Sequence, residues 1–424
     1  MRSVLIDLTP VRESRSFRNL VIGDAVSMVG TQITAVAIPL QVYDQTRSAA
    51  AVGAVGLVGL VPLVLLGLYG GAVADAVDRR RLVLTTTTTQ IGLSAVLAAQ
   101  AFAGLGWTWL LYVLIALQSA CFALESPARQ AFVPRLVPAA QLPAANALRF
   151  AEFNLGLTLG PLLAGVVVAA FGFGSAFTLD ACSFVASLVA ISALPSMAPE
   201  GGGRPAGLAS VVEGLRYLGT QPVLLMTFVV DIIAMVFGMP RALFPSMADT
   251  VFHGGPSTVG ALFSALAIGG LLGAVFGGWF SRVHRQGLAV LVAIVGWGLC
   301  VIGFGATSSL WLSLLCLAGA GASDMVSAAF RSTMLQSFAP DEMRGRLGGV
   351  FIVVVAGGPR LGDGRAGGMA AWLGVQQSVV VGGVLVVVLT LLCAVLVPRF
   401  TRYDTRHAEL SAAAGARAPR ASDS

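Results

Sequence analysis

The sequence predicts an all-α polytopic membrane protein with about twelve transmembrane helices. Of its 424 residues, 56% are hydrophobic and only 11% are charged, and the mean hydropathy is +0.86. A transmembrane helix needs about 20 apolar residues, so a chain of this length holds about twelve of them joined by short loops. A soluble globular domain is far less apolar and carries more charge.

Residue usage excludes several classes of function. All 26 basic residues are arginine, so the lysine that a P-loop or a Schiff-base enzyme requires is missing. The three histidines are scattered and the five cysteines fall within apolar segments. We therefore expect no metal site, no cofactor and no disulfide framework. The net charge of +6 is attributed to cytoplasmic loops, and nucleic-acid binding is not expected.

Apolar runs bounded by polar and helix-breaking residues place the individual helices. The predicted helices cover about 17–42, 51–72, 82–104, 108–126, 143–170, 175–194, 222–247, 257–280, 287–306, 310–338, 346–370 and 373–397. The predicted domains are a cytoplasmic N-terminal arm (1–16), a six-helix bundle (17–194), a cytoplasmic linker (195–221), a second six-helix bundle (222–397) and a disordered cytoplasmic tail (398–424). Arginines collect before helix 1 and in alternate loops, which predicts that both termini are cytoplasmic.

The loop between helices 2 and 3 carries the densest run of charge. Gly71 and Asp75 lie four residues apart on one face of the end of helix 2, and Asp78 precedes Arg79 and Arg80. The glycine allows close helix approach, and the Asp75 carboxylate could act on a neighbouring helix N-terminus or on the arginines. Alternatively, the loop is only a positively charged anchor, and Asp75 has no role in it.

Several ionisable side chains fall inside predicted helices, where each costs several kcal/mol unless it is paired or faces water. Three acids have an arginine nearby on the same helix, which favours structural ion pairs. These pairs are Arg149 with Glu152, Arg360 with Asp363, and Asp324 with Arg331. Asp24 and Asp231 have no such neighbour and are the stronger candidates for carrying a proton. Asp180 is expected to reach interfacial water near the end of helix 6.

Five of these acids are candidates for proton coupling, and Asp180 is not among them. They are Asp24, Glu152, Asp231, Asp324 and Asp363. The candidates for tuning that coupling or for attracting an anionic substrate are Arg149, Arg241, Arg331 and Arg360. The glycine-rich stretch 357–368, which includes Pro359, is expected to break or kink helix 11. It is either a place where an arginine meets substrate or a hinge whose charges pair internally.

Helix 5 contains small residues spaced for close packing, together with a proline that favours a kink. These residues are Gly156, Gly160, Pro161 and Gly165. The run resembles the G-x-x-x-G-P motif of helix 5 in antiporters of the major facilitator superfamily. It is also compatible with a generic interface between helices.

The loop at 71–82 resembles the G-x-x-x-D-R-x-G-R-R signature of the same superfamily. Gly71, Asp75, Arg79 and Arg80 match the signature, whereas Asp78 stands where the superfamily often has glycine. By this resemblance, Asp75 with Arg79 and Arg80 would form a gating latch on the cytoplasmic side. The copy of the loop between helices 8 and 9 has Ser281 in place of the aspartate, so any latch is asymmetric.

Four further segments, 38–43, 241–249, 333–336 and 344–349, resemble the enterobactin exporter branch of the drug–proton antiporters. The resemblance covers about 17–400. It implies a major facilitator fold with two six-helix halves that acts as a monomer in the bacterial inner membrane. It also implies proton-driven export of a siderophore or a similar amphipathic small molecule. A multidrug or macrolide exporter is the alternative, and a non-transporting membrane scaffold or an enzyme is a minor one.

Overall fold

A computed structural model describes residues 7–197, 213, 216–338 and 341–403 of the chain. Within these ranges, the side chains of 68–72, 74–75, 279, 281, 337–338 and 341–353 are not described. The described residues form α-helices, short 3-10 helices and loops, without β-strands. Most of the predicted linker and of the predicted tail lies outside the described residues.

Twelve long helices occur among the described residues. Ten segments of the described chain are long and apolar enough to span a membrane. One of them contains two helices, which meet at Gly172, and the helix Asp341–Leu373 completes the twelve. The helices are α1 (Arg15–Thr46), α2 (Ala49–Ala76), α3 (Arg79–Phe102), α4 (Thr108–Gln130), α5 (142–171), α6 (173–192), α7 (Pro222–Gly238), α8 (Pro256–Val275), α9 (Gln286–Ala306), α10 (Leu310–Phe338), α11 (Asp341–Leu373) and α12 (Val375–Leu396).

Two helix pairs, α5–α6 and α11–α12, are joined by a single glycine. Gly172 has φ 79° and ψ 176°, and Gly374 has φ 87° and ψ 162°. Positive φ is readily adopted only by glycine, because a Cβ would clash with the backbone. The same sharp turn thus occurs at the corresponding place in both halves of the chain.

The predicted helix bounds agree with the structure to within a few residues, with helices 7 and 8 as the main exceptions. Helix α7 ends at Gly238, and short helices follow over Arg241–Leu243 and Phe244–Thr250. Pro240 explains this early end, because the residue before a proline avoids the helical conformation. Helix α8 ends at Val275 and is followed by a 3-10 helix.

The expected break in helix 11 is wrong. Helix α11 is continuous through Pro359, and its glycines allow close contact with neighbouring helices instead. A Cβ on Gly362 would lie 2.2 Å from the carbonyl oxygen of Met235 in α7, and one on Gly367 would lie 2.4 Å from that of Ala49 in α2. Small residues of this kind let helix backbones approach each other within a membrane.

Because the helices alternate in direction, their ends lie on two faces. One face, called here the basic face, contains the start of α1, the α2–α3 loop with its three arginines, and the end of α12. The opposite face contains the α1–α2, α5–α6 and α11–α12 turns. In the N-terminal half α1 packs on the α5–α6 segment and α2 packs on α4; in the C-terminal half α8 and α9 pack on α10, and α12 packs on α9.

The two halves meet along α2 with α11 and along α5 with α8. These contacts lie toward the opposite face. There the Tyr43 hydroxyl is 3.1 Å from Asp249 Oδ2, and Arg47 Nη1 is 3.3 Å from the same oxygen. Nearer the basic face, a Cβ on Gly67 of α2 would meet no atom within 4 Å. The described parts of the halves therefore close at the opposite face.

Candidate functional site

A cluster of five charged side chains, called the first charge cluster, lies in the N-terminal half. Asp24 of α1 contacts Arg129 of α4, with Arg129 Nη1 2.7 Å from Asp24 Oδ1, and also contacts Arg149 of α5. Arg149 Nη1 lies 3.0 Å from Glu152 Oε2, and Arg129 Nε lies 3.1 Å from Glu125 Oε1. The predicted Arg149–Glu152 pair is thus present, within a network that joins three helices.

The first charge cluster carries one more acid than base. Its five side chains are between 6 and 27% exposed, so water screens their charges poorly. The Thr86 hydroxyl donates to Glu125 Oε2 at 2.8 Å, and Arg129 Nη2 donates to Thr87 Oγ1 at 3.0 Å. These bonds hold the members in place, but they leave three carboxyl groups against two guanidinium groups.

The C-terminal half contains a second charge cluster. Arg331 of α10 forms a close ion pair with Asp231 of α7, and both side chains are nearly inaccessible, at 6% and 4% exposure. Asp324 Oδ1 lies 3.8 Å from Arg331 Nη2, and its side chain is 40% exposed. A small cavity that Thr227 and Leu335 also line lies against the Asp231–Arg331 pair. Two carboxyl groups face Arg331 here, and the guanidinium group of Arg241 also acts on Asp324.

The Asp–Arg pair at the centre of each cluster is repeated between the halves. Asp24 and Asp231 each lie nine residues after the first residue of their helix, and Arg129 and Arg331 each lie 21 residues after the first residue of theirs. Sequence spacing gives Asp24 and Asp231 no partner on their own helix, but each pairs with an arginine from another helix. Arg129, expected in a cytoplasmic loop, lies in the last turn of α4.

The predicted pairing of Arg360 with Asp363 is wrong. Arg360 Nη1 donates to the carbonyl oxygen of Gly59 in α2, in the other half, and lies 3.3 Å from Ser119 Oγ. Asp363 Oδ1 instead accepts a hydrogen bond from the backbone nitrogen of Ala242 at 3.1 Å. The i, i+3 spacing permits the pair, but each side chain has a closer partner on another segment.

Arg241 also lies close to Asp363, so that both arginines act on this carboxylate. We call Arg241 and Arg360 the interface arginines. The Arg360 side chain reaches from α11 in one half to α2 in the other. Arg241 is half-buried just after α7. Together they place two guanidinium groups against one carboxyl group near the boundary between the halves.

The sequence-predicted gating loop is only partly described. Gly71 and Asp75 lie in the last turns of α2, and the side chain of Asp75 is not described, so its role as a latch stays a prediction. Arg80 donates from Nε to the carbonyl oxygen of Ile191 at 3.2 Å and from Nη2 to that of Ser192. The loop is thus attached to the end of α6.

Asp78 is a residue of this loop to which the sequence interpretation assigned no role. Its Oδ1 accepts from the backbone nitrogen of Arg81 at 2.9 Å, which caps α3, and its Oδ2 accepts from the Ser196 hydroxyl and from the backbone nitrogen of Met197 at 3.0 Å. Partial burial opposes ionisation, but these hydrogen bonds outweigh it and lower the pKa of Asp78 below its ordinary value.

Replacing Asp78 by alanine should reduce stability by about 0.5–2 kcal/mol, the usual cost of losing an N-cap. Since the folded-state pKa is lowered, the ionised carboxylate stabilises the protein above the unfolded pKa, and this contribution is lost as the pH falls through the folded pKa. The difference in melting temperature between wild type and Asp78→Ala should therefore shrink below about pH 4. Asp78→Asn, an equally good cap, is the matched control and should lack this pH dependence.

The small residues of helix 5 serve two different interfaces. A Cβ on Gly156 would lie 2.4 Å from Met28 Cγ, and one on Gly160 would lie 2.4 Å from Gln32 Cβ, both in α1 of the same half. Gly165 instead faces α8 of the other half, where a Cβ would lie 2.8 Å from the carbonyl oxygen of Pro256. The predicted close packing is therefore present; Gly156 and Gly160 pack within the N-terminal half, and Gly165 joins the two halves.

In the described part of the chain, no group of three or more His, Cys, Asp or Glu side chains is arranged to hold a metal ion. Each carboxylate of the two charge clusters lies near a guanidinium group. Such clusters can exchange protons and can hold or repel an anion. The reactions that these clusters can support are therefore the binding and release of protons and the binding of an anion.

Two six-helix halves that close at one face around charge clusters define a transporter of the major facilitator fold. The sequence profile of a family described as transmembrane secretion effector matches residues 6–414, and the chain belongs to that family. The enterobactin exporter EntS of Citrobacter koseri is 28% identical over 409 residues, with 95% of this chain and 96% of the relative covered. The protein of that name in Escherichia coli O157:H7 is 26% identical over 421 residues, with 98% and 99% covered.

Solved structures agree on the fold. A bacterial homologue of the human lysosomal transporter Spinster has a TM-score of 0.72 at 15% identity, with 91% of this chain and 97% of that chain covered. A POT family transporter in complex with 5-aminolevulinic acid has a TM-score of 0.73 at 15% identity, with 92% and 97% covered. The relatives and structural neighbours are transporters, and the chain is a multi-pass membrane transporter rather than an enzyme.

Proposed function

We propose that the protein is a proton-coupled exporter of a siderophore or a similar amphipathic anion across the bacterial inner membrane. It works as a monomer. Its basic face lies in the cytoplasm, because arginine-rich loops stay on that side of the membrane. Substrate enters between the halves from the basic face and leaves after the closed face opens. Protons move in the reverse direction down their gradient.

The excess of one carboxyl group in the first charge cluster carries this proposal. A net negative charge in a poorly hydrated site is costly, and binding one proton removes it. In the second charge cluster one acid is accessible for a proton, because the Asp324 side chain is 40% exposed while Asp231 is covered by Arg331. A proton bound at Asp324 would change how Arg331 is shared between α7 and α10.

The interface arginines support an anionic, oxygen-rich substrate. Guanidinium groups bind carboxylates and deprotonated phenols through paired hydrogen bonds and remain charged when they are partly desolvated. Arg360 holds a backbone carbonyl of the other half, a contact that an anion could replace. The relatives named enterobactin exporters point to the same class of substrate.

Transport into inverted membrane vesicles with an acidic interior tests the proposal. A labelled catecholate siderophore should accumulate when the gradient is imposed, and Asp324→Asn should abolish this accumulation while substrate exchange without a gradient continues. Asp44→Asn, which changes an acid 58% exposed at the opposite face, is the matched control and should transport normally. Gradient-driven transport that survives Asp324→Asn would contradict the coupling role of this residue.

A lipophilic dye in parallel vesicles separates the two substrate classes. Accumulation of the dye together with the siderophore, or in its place, would identify a multidrug exporter. Accumulation of the siderophore alone would identify a dedicated exporter. If neither compound responds to the gradient in correctly oriented vesicles, proton coupling is wrong.

A further inference from the structure

Asp180 of α6 is a buried acid outside both charge clusters. It was expected to reach interfacial water, but its exposed fraction is 0%. The Thr34 hydroxyl of α1 and the Ser94 hydroxyl of α3 each donate to Asp180 Oδ2 at 2.8 Å. Asp180 Oδ1 is buried and has no hydrogen-bond partner. The acid is therefore held by two neutral hydroxyl groups through one of its two oxygens.

Among the described contacts of Asp180, none is with a cationic side chain. The described side chains packed against Asp180 from α1, α3 and its own helix are uncharged and not titratable; they are Gly30, Thr34, Ser94 and Ser183. An ionised carboxylate needs a counter-ion or several hydrogen-bond donors to remain inside a membrane protein, whereas the neutral acid does not. The surroundings of Asp180 thus favour its protonated form.

A short chain of polar side chains connects Asp180 to α4. Ser94 Oγ accepts from Gln118 Nε2 of α4 at 3.4 Å, and Gln118 is half-buried. Asp180 is therefore hydrogen-bonded through Ser94 to a partly exposed side chain, and a hydroxyl group that both donates and accepts is able to relay a proton.

The fold itself does not require an acid here. Asp180 lies eight residues after the sharp turn at Gly172, and the residue eight positions after the equivalent turn at Gly374 is Gly382. Gly382 packs closely against Arg365, because a Cβ there would lie 2.8 Å from Arg365 Nη2. The C-terminal half thus builds the same helix pair without a carboxylate at this position.

Space for the carboxyl group is provided by a neighbouring glycine. A Cβ on Gly30 of α1 would lie 2.0 Å from Ser183 Oγ and 3.0 Å from Asp180 Oδ1. Any larger residue at position 30 would displace the acid or separate α1 from α6. The absence of a side chain at Gly30 therefore makes room for a carboxyl group in the middle of the N-terminal half.

We propose that Asp180, with Thr34 and Ser94, is a second proton-binding site of the transport cycle, which holds its proton in the conformation closed at the opposite face. The proton is held until water reaches Gln118 and Ser94 from the basic face, and it then leaves toward that face. After the halves rearrange, Asp180 takes up a proton from the opposite face, so that one proton moves from the opposite face to the basic face in each cycle. The inference rests on the proposed proton-coupled function and adds a site to it.

Infrared difference spectroscopy of the purified protein tests the site directly. Protonated carboxylic acids have a carbonyl-stretch band that disappears on ionisation. We expect wild-type protein to lose intensity in this band on transfer from acidic to alkaline buffer, and Asp180→Asn to lack that component. Asparagine can still accept from Thr34 and Ser94, so the variant should fold. Asp44→Asn, the matched control, should give the wild-type band, and a wild-type band in Asp180→Asn would overturn the proposal.

Proton movement in proteoliposomes tests the role of the site in transport. The number of protons exchanged per substrate, measured from the gradient that just stops net transport, should be smaller by one in Asp180→Asn than in wild type. An unchanged number would overturn the transport role. If the wild-type protein shows the Asp180 band but moves no protons with substrate, the proposed function fails and the proton-binding site stands.

Discussion

Replacing Arg331 by leucine should destabilise the protein by about 3–5 kcal/mol, the usual result of removing one member of a buried ion pair. Arg331 and Asp231 are 6% and 4% exposed, and the pair links α7 to α10. Loss of the guanidinium leaves Asp231 as a buried carboxylate whose remaining neighbours are largely apolar. We expect a lower melting temperature in detergent and no transport.

A double-mutant cycle separates the loss of the pair from the loss of the arginine side chain. Arg331→Gln combined with Asp231→Asn removes both charges and should be more stable than Arg331→Gln alone, because no unpaired charge is left buried.

Arg47→Gln is the matched control. Arg47 is 63% exposed in its pairs with Asp44 and Asp249, so its loss should cost less than about 1 kcal/mol. Equal melting temperatures for Arg331→Gln and Arg47→Gln would contradict this interpretation.

The fold could be predicted from the sequence because each span has its own signal. The bilayer requires about 20 apolar residues per helix, and polar loops separate these runs. The number and order of the helices therefore follow from the pattern of apolar and polar residues along the chain. The prediction failed where a local rule was overridden by packing. The glycines around Pro359 indicated a break, but in α11 they are contact points for α2 and α7.

The candidate site could be predicted only in part. The Arg149–Glu152 pair lies within one helix turn, so its spacing in the sequence reveals it. The partners of Asp24 and Asp231 come from other helices, and their distance in sequence says nothing about their distance in space. A search for repeated positions would have helped, because each Asp–Arg pair has the same register in both halves.

The burial of Asp180 also could not be predicted from the sequence. Its position near one end of a predicted helix suggested access to water, which depends on the neighbouring helices rather than on depth alone. Glycine and small hydroxyl residues on α1, α3 and α6 close around it completely. Burial of a single polar residue is a property of three helices, so the sequence of one helix does not reveal it.

Replacing Gly260 by valine should hold the protein in the state that is open at the opposite face. Gly260 of α8 lies against α5, where a Cβ would be 2.4 Å from the carbonyl oxygen of Pro161 and 3.1 Å from Gly165 Cα. Both neighbours are backbone atoms, so relief requires the halves to separate. Overpacking costs about 1–3 kcal/mol, which would change the ratio of the two states by about 5- to 150-fold and strongly reduce transport.

The distance between spin labels across the opposite face measures this change. Labels at positions 107 and 308, one in each half, should move apart in Gly260→Val when the five native cysteines are replaced. Gly321→Val provides the contrast, because a Cβ there would lie 1.9 Å from the carbonyl oxygen of Leu266 within the same half; it should lower stability and leave the label distance unchanged. Gly92→Val, where a Cβ would meet no atom within 4 Å, should change neither. A label distance in Gly260→Val equal to that of wild type would show that the α5–α8 contact does not control closure of the halves.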